Sequence, residues 1–105
     1  EPPLAQQIEA LGETVDYLIA RQVQVTVVLL PTRRGFFEFT LPNAYRGQVK
    51  VLCERRAVRC VDLSHLLEED EFWDINHSNW RGLQKTHQAM MDIVEPHLRR
   101  NGLLD

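Results

Sequence analysis

With 105 residues, the chain is long enough for one hydrophobic core and too short for two full domains. Hydrophobic residues make up 44% and charged residues 26%, which excludes a disordered tail, a collagenous chain and a disulfide-packed miniprotein. The net charge of −3 lacks the basic excess that a phosphate-backbone binder needs, so no nucleic-acid partner is expected.

The first periodic segment runs from Pro3 to about Arg21. Leu4, Ile8, Leu11, Val15, Leu18 and Ile19 form one stripe of an amphipathic helix, with the two prolines suited to its first turn. Gln24 to Leu30 is β-branched, almost continuously apolar and closed by Pro31. Such a run predicts a strand covered on both faces, as in a parallel sheet. Thr32 to Phe39 is a loop with two arginines, Arg33 and Arg34, and three phenylalanines, Phe36, Phe37 and Phe39, which read as a lid, an interface or core whose partner lies elsewhere.

A second helix is predicted from about Ala44 to Arg56, with Tyr45, Val49, Leu52 and Cys53 on one face. A shorter strand follows at Val58 to Leu63. Ser64 to Phe72 is acidic and is expected to hold one helical turn, its Glu68-Glu69-Asp70-Glu71 run forming a solvated face. The last helix is predicted from Asn79 to Arg99, capped by Ser78 or Asn79 and ended by Asn101-Gly102. Its stripe is Trp80, Leu83, His87, Met90, Val94 and Leu98, which places Trp80 against a sheet and His87 at a core boundary.

Strands alternating with helices predict a three-layer α/β/α architecture around a parallel sheet. Two strands do not complete such a sheet, so the reading includes missing strands at an edge. No run approaches the ~18 apolar residues of a membrane span. A start at Glu1-Pro2-Pro3 without Met reads as a processed or excised piece. Cys53 and Cys60 make no framework, and the sequence leaves open whether they are two reduced thiols or one disulfide. The four histidines have no metal-ligand spacing, so neither a metal nor another cofactor is expected.

In open α/β sheets, functional residues gather in loops beyond the carboxyl ends of strands. The loop after the second predicted strand holds Asp74 and His77, three residues apart, just before the last helix. At that spacing a turn lets the carboxylate accept from one imidazole nitrogen and leaves the other to take a proton from a hydroxyl nucleophile. The alternative is a loop-capping pair, with Asp74 accepting backbone N–H bonds ahead of the helix.

Asp74-x-x-His77-x-x-Trp80-x-Gly82 resembles the last block of the SGNH (GDSL-like) hydrolase superfamily. The closer likeness is to the DltD-like D-alanyl transfer proteins and related cell-surface polysaccharide acyl-transfer proteins. The likeness spans roughly residues 23–98, with Leu30-Pro31 and Asp62-Leu63 also in place, but only the Asp74–Gly82 block is specific. It implies that Asp74 orients His77, the general base of a Ser-His-Asp triad. It also implies a cell-envelope acyl ester or polymer as substrate; independently of the resemblance, Arg33 and Arg34 in the other loop read as a grip for an anionic polymer or as an exposed loop pair. The setting would be extracytoplasmic, with a membrane anchor outside this chain. Trp80 and Gly82 would be structural at the site.

The Gly-Asp-Ser nucleophile block and the oxyanion-hole blocks of that superfamily are absent from this sequence. Only two serines are present: Ser78 adjoins His77, and Ser64 lies in the acidic loop without a Gly-rich turn. The expectation is therefore the C-terminal part of an SGNH-like domain of about 200 residues, inactive alone, paired with the rest of the domain or with a copy of itself. The rival expectation is a non-catalytic α/β binding or scaffold module with a degenerate site.

Overall fold

The computed structural model describes residues 4–33, 40–74 and 77–104. Pro2, Pro3, Arg34 and the three loop phenylalanines, each part of a sequence expectation, lie outside the described residues. The chain forms α1 (Leu4–Ala20), β1 (Thr26–Leu29), α2 (Thr40–Arg55), β2 (Arg59–Asp62), a 3-10 turn (Glu69–Glu71) and α3 (Trp80–Arg100). It divides into two compact units. The first takes residues 4–30 and 40–63, and the second takes 31–33 and 64–104.

In the first unit, β1 and β2 pair in parallel, with Val27 opposite Cys60 and Leu29 opposite Asp62. The mixed helix–strand content and the parallel pair are compatible with the α/β class. Val15 of α1 and Val49, Leu52 and Cys53 of α2 form the buried cluster. Val25, Val27 and Leu29, which share one side of an extended chain, pack against it, as do Val58, just before β2, and Cys60 within it. Both strands are half-buried beyond an exposed first residue, short of the two-sided cover expected from the apolar run. A bidentate ion pair also links the two helices: Arg56 Nε donates to Asp16 at 2.8 Å and its NH2 group at 3.2 Å. Both groups are held in their charged forms, Asp16 below its ordinary range and Arg56 above, chiefly by that hydrogen bond.

All three helices end in the same way. Val23 N–H donates to the Leu18 carbonyl and Gln22 N–H to Ile19. Val58 and Ala57 repeat the pattern on Cys53 and Glu54, and Leu103 and Gly102 repeat it on Leu98 and Arg99. These are Schellman closures with the left-handed position at Gln22 (φ 60°), Ala57 (φ 53°) and Gly102 (φ 72°). Only the last uses glycine.

The second unit departs from expectation along α3. Trp80, expected against a sheet, is 70% exposed, and Leu83, Met91 and Val94 are exposed as well. His87, expected at a core boundary, is exposed. The helical periodicity is present, but a stripe of apolar residues becomes core only where another element covers it, and Gly82 is the buried residue of this helix. Among the described residues, no helix is long and apolar enough to cross a membrane.

Candidate functional site

The turn that carries Asp74 and His77 stands on a polar framework built around the start of α3. Asn79 is the N-cap: its side-chain oxygen accepts from Gly82 N–H at 3.1 Å, and its amide donates to the Asp70 carbonyl at 2.7 Å. Its backbone N–H donates to the Glu71 carbonyl at 2.9 Å. Gly82 lies so close to this segment that a Cβ there would collide with the Glu71 carbonyl oxygen. The glycine is therefore required by the approach of the 3-10 turn and not, as a helix–strand contact would have it, by a sheet.

The acidic run is exposed at Glu68, Glu69 and Asp70, as a solvated face requires, and buried at Glu71. Arg33 Nε donates to Glu69 at 2.7 Å, and Arg81 contacts both the carboxylate and the carbonyl of Asp70. The Glu71 carboxylate is buried, and it accepts from Lys85 Nζ and from Glu68 N–H, both at 2.8 Å. The Lys85 hydrogen bond, then the Glu68 one, hold this carboxyl below its ordinary value of 4.5. A carboxylate with a depressed folded-state pKa stabilises the fold above its unfolded pKa, and that contribution is lost as pH falls. Wild-type protein is thus expected to lose more of its denaturant midpoint than Glu71→Gln between about pH 6 and about pH 3, as followed by circular dichroism. Equal losses would show that the buried carboxylate has no part in acid sensitivity.

On this base, Phe72 and Ser78 form an antiparallel bridge, and Trp73 N–H donates to the His77 carbonyl at 2.6 Å. The turn brings the Asp74 carboxylate to His77 twice. It accepts the His77 backbone N–H at 2.9 Å, and both its oxygens lie 2.9 Å from Nδ1. An ionised carboxylate only accepts, so Nδ1 carries the hydrogen and Nε2 is the acceptor of the neutral ring. The capping bond and the orienting bond coexist. Both side chains are accessible, 49% for Asp74 and 72% for His77.

Trp73, on the same turn, is 81% exposed. Ser64 is buried and Ser78 half-buried. Arg33, expected to grip an anion, has its Nε engaged by Glu69. Among the described residues, no group of three or more His, Cys, Asp or Glu is gathered as a metal site. Sequence reasoning missed the Glu71–Lys85 and Asp70–Arg81 pairs. The one local signal was the Glu-x-x-Glu spacing of residues 68–71, which closes a capping box with an unusual glutamate cap.

An open groove of about 460 Å³ also lies between α1 and α2, lined by Ile8, Gly12, Asp16, Gly47, Val51 and Arg56 among others. Its central charges, Asp16 and Arg56, are already paired with each other. No protein-family model, curated protein or solved structure matches the chain.

Proposed function

We propose that this chain supplies the Asp-His limb of an SGNH-like serine esterase or O-acyltransferase, acting on an acyl or D-alanyl ester of a cell-envelope polymer. The observation that carries the reading is the Asp74–His77 pair: a carboxylate 2.9 Å from Nδ1, on an accessible turn just ahead of α3. In this reading His77 Nε2 takes the proton of a serine hydroxyl and later returns it to the leaving group, while Asp74 holds the ring and stabilises the imidazolium. The serine and the oxyanion donors come from sequence outside this chain, as do the further strands of a three-layer α/β/α sheet and a membrane anchor. The location is extracytoplasmic.

The test joins this chain to its upstream sequence and assays ester hydrolysis. His77→Ala is expected to lower kcat by about a hundredfold or more. Asp74→Asn is expected to lower kcat and to abolish the preference for the Nδ1–H tautomer, read by nitrogen NMR of the imidazole. Hydrolysis that survives His77→Ala unchanged refutes the triad assignment. A second reading, a non-catalytic binding or scaffold module, is favoured by one contact. Asp74 accepts the His77 backbone N–H, work that a capping carboxylate does without catalysis.

A further inference from the structure

Cys53 sits on the core face of α2 and is only 1% exposed, beside Val49 and Leu52. The helix stops two residues later. Ala57 takes its left-handed φ, and Val58 N–H donates back to the Cys53 carbonyl at 2.9 Å, so the chain reverses almost directly beneath the cysteine. Side chains alternate along extended backbone, which puts Val58 and Cys60 on one side. Both pack against the cluster that contains Cys53. The two thiols, the only cysteines of the chain, are both reduced and both belong to the packing of that cluster.

We propose that Cys53 and Cys60 are a reversible dithiol–disulfide site that staples the end of α2 to β2. The proposal is independent of the Asp74–His77 reading.

The oxidant is a small disulfide such as oxidised glutathione. Half-buried Cys60 is the accessible partner: it loses its proton, and its sulfur attacks one glutathione sulfur. The S–S bond of the oxidant breaks and the first glutathione leaves, taking up a proton as the free thiol. Cys53 then loses its proton and attacks the Cys60 sulfur of the mixed disulfide, expelling the second glutathione with its proton. One protein disulfide forms and one small disulfide is reduced to two thiols. Burial, and then the charge and hydrogen bond of Cys60, push the Cys53 thiol up to about 11, against the opposing pull of Arg56. That order of reactivity makes Cys60 the attacking residue and Cys53 the resolving one.

The sequence supplies its own assay. Arg55, Arg56 and Arg59 lie between the cysteines, so trypsin separates the peptide ending at Arg55 from the one beginning at Cys60. The full 105-residue chain is equilibrated in buffers of increasing oxidised-to-reduced glutathione ratio, alkylated to trap free thiols, and digested without reductant. The expected result is joint loss of both thiols in a monomer, with the two peptides linked to each other and released by reductant. Cys60→Ser is expected to leave Cys53 unmodified at the same ratios. Stable glutathione adducts on Cys60 without the linked peptides, disulfide-linked dimers, or two free thiols at a tenfold excess of oxidised glutathione would each overturn the proposal. The wild-type digest decides even where the variant fails to fold.

Discussion

Gly82→Ala is expected to destabilise the second unit by about 2 kcal/mol, although alanine is the better helix former by about 1 kcal/mol. The position lies inside the first turn of α3, where a methyl group would meet the backbone carbonyl of Glu71. It would also lie 2.9 Å from Ser78 Cβ and 3.0 Å from a Leu67 methyl. A flexible side-chain tip can rotate away, but Glu71 cannot. Its carbonyl accepts from Asn79 and its carboxylate from Lys85 and Glu68. Relief therefore requires α3 to move off the 3-10 turn, loosening the base on which Asp74 and His77 stand. Gly47→Ala is the control: nothing lies within 4 Å of its missing Cβ, and it is expected to stabilise by about 1 kcal/mol. Denaturant unfolding followed by circular dichroism reads both. The same sign of change for the two variants would refute the close approach at Gly82.

Leu52→Ala is expected to cost about 3 kcal/mol. Four buried residues, Val15, Val49, Leu52 and Cys53, make the cluster of the first unit, and Leu52 is the largest of them. It faces α1 at the helix crossing, where its Cδ1 lies 3.4 Å from the Cβ position of Gly12. Glycine on one helix meets leucine on the other, and deleting the leucine side chain leaves a void that α1 can fill only by shifting. Typical domain stabilities are about 5–15 kcal/mol, so the loss takes a large share of the total. Val51→Ala, one residue away on the exposed side of α2, is expected to change stability by no more than about 0.5 kcal/mol. Comparable effects at the two positions would show that the cluster is not the core.

The helices were legible because apolar spacing is a local property. α1 and α3 fall within a residue or two of their periodic segments. α2 begins at Thr40, earlier than its pattern predicts, because Pro42 falls in the first turn, where no hydrogen bond is forfeited. The strands are shorter than their apolar runs, since pairing ends at Leu29 opposite Asp62 and Leu30 lies exposed. Asp74 and His77 could be paired from sequence because they stand only three positions apart in the chain.

The framework beneath them was not legible. Glu71 and Lys85 are fourteen residues apart, and Arg33 and Glu69 are thirty-six apart. Nothing periodic marks such pairs, so the acidic run could be read as solvent-facing, as three of its four residues are, but not as the partner of three cations. The helix stops at Gln22 and Ala57 were hidden for a different reason. Neither residue is the glycine that ordinarily announces a left-handed position.

The two exposed tryptophans have a practical consequence. Trp73 and Trp80 are the only tryptophans in the chain, and both belong to the second unit, one on the turn with His77 and the other opening α3. The first unit is left with Tyr17 and Tyr45. Selective excitation of indole therefore illuminates the neighbourhood of the candidate base and leaves the helix–sheet core dark. In the folded protein these rings already emit as hydrated chromophores, so a soluble quencher should reach them before any denaturant is added. A ligand that settles on the turn and excludes water would announce itself, without a label, as a blue shift in emission.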